Sequence, residues 1–337
     1  MKLICAPMAT LSHPAFRMLI EKFGGCDEYY TEMINAPSLL NNGQFEKYYV
    51  NPAPVPEKIV WQLTGKSADP IVKAAGIVAN LGGIGVDLNM GCSAPEIVNS
   101  GAGVAWMLKP LSETEKLVCG VKKQLEEYEK QTGIHRRFSV KFRLGDENFT
   151  EKEFFKFTDM LVKNGVERLA LHPRTKKEKY RDLPRWAYAE ELAERYAKKG
   201  VSVAVNGDIK DFDSAQKVCG ICPHCDALMI GRAAVQKPWI FAELSCSESS
   251  CGADAKRIDL LECALDFIGW VEQFQPPEFY KTRLQRFFAY FCQNLSFAHY
   301  AQTQMLNAKS IEDARERICG YFKKVPDDRF LQMRSAG

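Results

Sequence analysis

Five polar side chains stand where apolar ones are expected. Gln62, Asn89, Lys141, His172 and Asn206 each lie within or at the end of a short run rich in apolar and β-branched residues. Buried strands rarely tolerate amide, imidazole or ammonium groups unless these are paired. Two glycine turns accompany them, Asn206-Gly207-Asp208 and Gly231-Arg232. Glycine lets backbone N–H groups approach an anion, and an adjacent arginine supplies charge, so these turns read as a phosphate site. Lys141, Gln62 and Asn89 offer donors to a polar ring deeper inside. A phosphate at one end and a hydrogen-bonding heterocycle at the other describe a nucleotide or a flavin mononucleotide.

Such a constellation needs a scaffold that brings distant segments to one mouth. Strand-like runs are expected at 3–8, 29–33, 59–64, 85–90, 138–144, 168–173, 202–207 and 227–231. Amphipathic stretches at 68–80, 111–130, 151–163, 186–199 and 211–219 separate several of them. Alternation of this kind implies parallel strands with crossover helices. Eight units in about 240 residues fit a (β/α)8 TIM barrel, whose catalytic groups project from the carboxyl ends of the strands. A doubly wound sheet would need a Gly-x-Gly-x-x-Gly turn, which is absent. Residues 245–257 are small and polar and read as a linker. Beyond them only helical patterns remain, at 257–273, 278–294, 296–307 and 310–323. The expected organisation is a catalytic barrel over 1–244, a linker over 245–257 and a small helical bundle domain over 258–337.

The composition, with 46% hydrophobic and 26% charged residues, excludes a disordered or fibrous chain. No apolar run is long enough to span a bilayer, and no secretory signal is evident, so a cytoplasmic protein is expected. Net charge is +3. Between Arg174 and Arg185, six basic residues face only Glu178 and Asp182. A local basic patch on a neutral body suits an anionic partner.

The runs Ala6-Pro7-Met8-Ala9, Gln62-Leu63, Asn89-Met90-Gly91-Cys92, Val140-Lys141-Phe142-Arg143, His172-Pro173-Arg174-Thr175, Asn206-Gly207-Asp208 and Met229-Ile230-Gly231-Arg232 occur in this order at barrel-strand spacing. As a set they resemble the tRNA-dihydrouridine synthase family, and the resemblance covers the whole chain. It implies an FMN enzyme that uses NADPH to reduce the C5=C6 bond of uridines in tRNA. Carried over by residue, Pro7, Met8 and Ala9 line the flavin. Gln62, Lys141 and His172 contact its ring and ribityl chain. Asn206, Gly207, Asp208, Gly231 and Arg232 hold the phosphate end, and Cys92 is the proton donor. Asn89, Arg143, Arg174, Lys176, Lys177 and Arg181, with Lys281, Arg283 and Arg286 on the helical tail, are the expected RNA contacts. The resemblance also suggests a monomer. The run Cys92-Ser93-Ala94-Pro95-Glu96 departs from the family, which places proline directly after the cysteine and often a basic residue soon after. Two other enzyme readings stay open: an FMN barrel acting on a small molecule, and a ribosomal RNA target. A non-catalytic RNA-binding barrel is the third alternative.

Twelve cysteines are many for this compartment. Cys219-Gly220-Ile221-Cys222-Pro223-His224-Cys225 lies outside the family pattern, and Cys246 and Cys251 follow. Two pairs converging at the bottom of the barrel, Cys222 with Cys225 and Cys246 with Cys251, with Cys219 or His224 as substitutes, would make a tetrahedral zinc site. Free thiols and an iron–sulfur cluster are the alternatives.

Overall fold

The computed structural model describes residues 1–178, 181–245 and 257–333. Eight parallel strands close a barrel: β1 (Lys2–Cys5), β2 (Glu28–Tyr30), β3 (Ile59–Thr64), β4 (Gly85–Met90), β5 (Arg137–Phe142), β6 (Arg168–Leu171), β7 (Ser202–Asn206) and β8 (Ala227–Ile230). They pair in chain order, and β8 returns to β1 in the register Lys2↔Ala227 to Cys5↔Ile230. A two-residue strand, Ile34–Asn35, extends the sheet beside the end of β3. The crossover helices include α1 (Pro14–Glu21), α2 (Ala68–Ala79), α3 (Leu111–Thr132), α4 (Phe154–Lys163), α5 (Ala187–Tyr196) and α6 (Phe212–Ile221). Local chemistry sets their ends. Asp211 and Ser214 form a reciprocal capping box at α6. Gly133 ends α3 in the left-handed conformation, at φ +70°.

Alternation along the strands divides the inside of the barrel from its outside. Outward residues join the main core with the helices. Inward ones form a separate small cluster of Ile4, Ala6, Tyr30, Val60, Ala170, Ala204, Ala227 and Met229. Below this waist, Glu28 is buried and accepts from Arg137 Nη2 at 2.6 Å and Arg168 Nη1 at 2.7 Å. Burial pushes the Glu28 carboxyl up, but the two arginines outweigh it and hold it at about 2.

After the barrel come α7 (Leu260–Phe274), α8 (Pro277–Phe291), α9 (Ala298–Leu306) and α10 (Ile311–Lys324). Pro277 opens α8, where a missing N–H costs nothing. Phe267 of α7 stacks on Phe287 of α8 at 3.7 Å between ring centroids. Lys22, just past α1, bonds Glu262 at 2.7 Å and Asp266 at 2.6 Å on α7, so the bundle is seated on the barrel wall.

Two expectations need correction. The helix expected from 257 starts at Leu260: Arg257–Asp259 instead pairs antiparallel with Phe330–Gln332. Asp259 explains the shift, because its side chain accepts the Glu262 N–H and caps the helix. The helix expected over 151–163 is two helices. Asp146 caps Glu147–Lys152, and α4 begins after Glu153.

Candidate active site

The carboxyl ends of the strands converge on one mouth. β3, β4 and β5 supply a buried hydrogen-bonded chain. Ser139 Oγ donates to Asp87 Oδ1 at 2.7 Å, and Gln62 Nε2 donates to Asp87 Oδ2 at 2.8 Å. Asn89 Nδ2 donates to Gln62 Oε1 at 2.8 Å. Asn89 Oδ1 then accepts the Cys92 N–H at 2.9 Å and the Gly91 N–H at 3.2 Å. The orientation of each amide in this chain is therefore fixed by its neighbour. Burial raises the Asp87 carboxyl to about 6, against the pull of Gln62 and Ser139.

Cys92 is half-buried at the end of this chain. Its carbonyl accepts the Val104 N–H at 2.9 Å. Gly103 makes that approach possible. It has φ +61°, and a Cβ there would lie 2.5 Å from the Cys92 carbonyl oxygen. The displaced proline has a local role: Pro95 starts the helix Pro95–Asn99, with Ala94 as its N-cap.

Lys141 reaches into the mouth from β5 and donates to Asn206 Oδ1 at 3.2 Å. Asn206 Nδ2 is held by the Met229 carbonyl at 2.7 Å. Burial and the Arg143 charge lower the Lys141 ammonium to about 8, while Asp87 and Cys92 act in the opposite sense. His172 is buried, and burial with Arg143, Lys141, Arg174 and Arg232 keeps it well below the ordinary histidine range, hence neutral. Its Nε2 lies 3.1 Å from Arg174 Nη1. Arginine can only donate, so Nε2 accepts and Nδ1 carries the proton.

The β7 and β8 turns meet beside it. Gly207 has φ +123°, and a Cβ there would sit 3.1 Å from His172 Cδ2. A Cβ on Gly231 would lie 3.5 Å from Met8 Sδ and 3.6 Å from Ala6 Cβ, over the β1 loop. Pro7 and Met8 are half-buried there and Ala9 is exposed. Ser12 Oγ fixes this loop, accepting the Met8 N–H at 2.9 Å and donating to the Ala6 carbonyl at 3.0 Å.

Several expected roles are corrected by these contacts. Asp208 is a counter-ion: Arg174 Nη2 lies 2.5 Å from its Oδ2 and Arg232 Nη2 2.9 Å from its Oδ1. A carboxylate engaged in this way repels a phosphate, so only the backbone of this turn suits one. Arg174 is fully buried and also bonds the Asp182 carbonyl, so it braces the loop from inside and is no surface RNA contact. Asn89 is buried in the chain that holds Cys92, so it faces the mouth rather than the outer surface. Arg283 is buried against Glu32 at 2.7 Å and cannot reach an RNA phosphate.

The remaining expected contacts sit nearer solvent. Arg143 links two loops through the Gly91 carbonyl at 3.0 Å and the Thr175 carbonyl at 3.2 Å. Lys176 is half-buried, 3.5 Å from Asp146. Lys177, Arg181, Lys281 and Arg286 are exposed. The basic window is thus less positive outside than its composition suggests. Cys222 and Cys225 lie together at the amino end of β8, while Cys246 and Cys251 fall outside the described residues. Asp87 and Glu32 were missed as site-forming residues. The signal for Asp87 was present, since period-two alternation puts it on the same strand face as Asn89.

This geometry has relatives. The family model described as Dihydrouridine synthase (Dus) matches residues 4–316. A probable tRNA-dihydrouridine synthase of Aquifex aeolicus is 34% identical over 247 residues, covering 72% of each chain. A tRNA-dihydrouridine(16) synthase of Salmonella typhimurium is 30% identical over 245 residues, covering 71% of this chain and 74% of its own. The matched span includes all eight barrel strands but the first two residues of β1, and with them the polar mouth. By that extent of match, the chain belongs to the dihydrouridine synthase family.

Proposed function

We propose that the chain reduces the C5=C6 bond of uridines in tRNA to 5,6-dihydrouridine, using FMN seated in the barrel mouth and NADPH as reductant. The observation that carries this reading is the placement of Cys92, held by Asn89, and the half-buried ammonium of Lys141 in one mouth. FMN fits the residues present. Lys141 has an amide rather than a carboxylate as its bonded partner, which leaves its charge available to an anionic ring edge. The turns at Gly207 and Gly231 offer backbone N–H groups without a side chain of their own, with Arg232 alongside for a phosphate.

Bound and reduced, FMN supplies the hydride that adds to uracil C6. The protein's part is to bind, orient and protonate. Lys141 would stabilise negative charge on an anionic ring bound beside it. As hydride arrives at C6, negative charge develops toward uracil O4, and the Cys92 thiol gives its proton to C5. A positioned thiol can serve as the general acid for a carbon on which negative charge is developing. The proton balance closes when solvent reprotonates the resulting thiolate. His172, neutral with Nδ1 protonated, offers a donor without adding charge.

The target uracil must leave the RNA stack, which costs a few kcal/mol. Exposed Lys177 and Arg181, with Lys281 and Arg286 on α8, are the proposed phosphate contacts that offset this. Residues 1–244 form the proposed catalytic domain and 258–337 the RNA-binding domain, acting as a cytoplasmic monomer. Among the described residues no helix is long and apolar enough to cross a membrane.

The test is nucleotide-resolution mapping of dihydrouridine in total RNA from cells with and without the gene, complemented by wild type or Cys92→Ala. Loss at a tRNA position, restored only by wild type, is expected. No change at any RNA position would overturn the reading in favour of a small-molecule substrate.

A further inference from the structure

We propose that Glu190, Cys222 and Cys225 bind a zinc ion at the amino end of β8, remote from the mouth. α6 ends at Ile221, and the chain turns back through Pro223 so that the Cys225 N–H donates to the Cys222 carbonyl at 3.2 Å. That turn brings two buried thiols side by side. Glu190 reaches them from α5. The carboxylate oxygen and the two sulfurs all lie within 4.8 Å of one another. Zinc with bonds of about 2.3 Å to sulfur and about 2.1 Å to oxygen holds tetrahedral ligands roughly 3.5–3.8 Å apart, so side-chain adjustment suffices to close the site.

The ligand set chooses the metal. Two thiolates disfavour calcium and magnesium, which take oxygen ligands. An iron–sulfur cluster needs four cysteines, and among the described residues only two meet here. Zinc accepts two thiolates with a carboxylate, and its binding releases the two thiol protons to solvent. Solvent takes the fourth position. His224 supplies the outer partner: its backbone N–H donates to Glu190 Oε2 at 3.2 Å, and its ring Nδ1 contacts Oε1. Outer hydrogen bonds of this kind orient a ligating carboxylate.

The placement gives the site a structural task. Glu190 belongs to the helix between β6 and β7, whereas the cysteines lead into β8. A zinc ion would clamp that helix to the turn entering β8, at the end of the strand opposite Gly231 and Arg232.

The experiment uses the full-length protein, equilibrated with zinc chloride, freed of excess metal by gel filtration, and assayed for metal by mass spectrometry. About one zinc per chain is expected, lost in Cys222→Ser and Cys225→Ser. His224→Ala should weaken binding about 10–100-fold, as loss of an outer partner does. A Cys246→Ser/Cys251→Ser double variant should keep its zinc. Cobalt bound in place of zinc should give thiolate-to-metal charge-transfer absorption in the wild type. If the cysteine variants are insoluble, Glu190→Gln and the cobalt spectrum still decide. A wild type that retains no zinc, a Glu190→Gln variant that binds it unchanged, or loss of zinc in the Cys246→Ser/Cys251→Ser variant would overturn the assignment.

Discussion

Arg283 Nη1 lies 2.7 Å from Glu32 Oε1, joining α8 to the loop after β2 across 251 residues of sequence. Both side chains are buried. The same Glu32 oxygen accepts the Thr10 N–H at 2.5 Å. Thr10 is held at φ +66°, a conformation unusual for threonine. One carboxylate thus ties the helical bundle to the loop that lines the proposed flavin site. Removing one partner leaves the other charge buried and alone, which typically costs about 3–5 kcal/mol. Arg283→Met should lower the unfolding free energy by that order in urea titrations, and Arg283→Met/Glu32→Gln by less. Equal losses in the two variants would contradict a direct pairing.

Cys92→Ala should leave the fold intact, because the side chain is half-buried and its anchor is a backbone N–H. A missing general acid should slow dihydrouridine formation about 10²–10⁴-fold in single-turnover assays on tRNA. Retention of the wild-type rate would remove Cys92 from the chemistry.

Asn89→Ala retains the thiol but removes the acceptor that positions its backbone N–H. A misplacement near 1 Å can cost about 10²-fold, so a fall of that order is expected with the thiol still titratable by alkylation. Asp87→Asn, farther along the chain, should give a smaller loss, since the amide oxygen can still accept from Gln62 and its NH2 can donate to the Ser139 hydroxyl. A loss in Asp87→Asn greater than that in Asn89→Ala would contradict this order.

Lys141 carries its charge below about pH 8 in the free protein. Its pKa is depressed from the usual lysine value, so the charge is lost as pH rises through about 8. Flavin affinity, measured by fluorescence quenching, should weaken above that pH in the wild type. Lys141→Met should bind weakly throughout and lose the pH dependence.

His13 is buried at the barrel–bundle junction beside Phe267, and among the described residues neither ring nitrogen has a bonding partner. Burial, with Arg283 and Arg17, keeps its pKa well below the ordinary value. The unfolded chain therefore takes up a proton that the folded one refuses. Stability should be full above about pH 6.5 and fall with acid at up to about 1.4 kcal/mol per pH unit for this group. His13→Leu should flatten that slope in denaturant melts recorded from pH 7 to pH 5.

Most barrel strands were legible as short apolar or β-branched runs bounded by Gly, Pro or a polar residue. Lys141 and Asn89 stood out as polar residues within such runs. What escaped was partnership across the fold. The sequence spacing of Lys281, Arg283 and Arg286 suggested one basic face, yet α8 turns Arg283 inward because Glu32 waits there. Arg174 likewise reads as basic surface until Asp208 is placed beside it. Charge type is local information, whereas its counter-ion comes from a distant segment. The Cys222–Cys225 pair was visible, but Glu190 on another helix was not.

The ion-paired cluster of Glu28, Arg137 and Arg168 has a consequence for turnover. It stoppers the lower end of the barrel, above which lies only the thin waist around Ala170 and Ala204. With that end closed by ion pairs, water would reach the proposed site from the upper mouth, the side that an inserted uracil would occupy. In the proposed reaction, the proton that Cys92 surrenders must return by that route. Product departure would therefore come before the thiol is reset, and the order of those two events would be dictated by plumbing at the far end of the barrel.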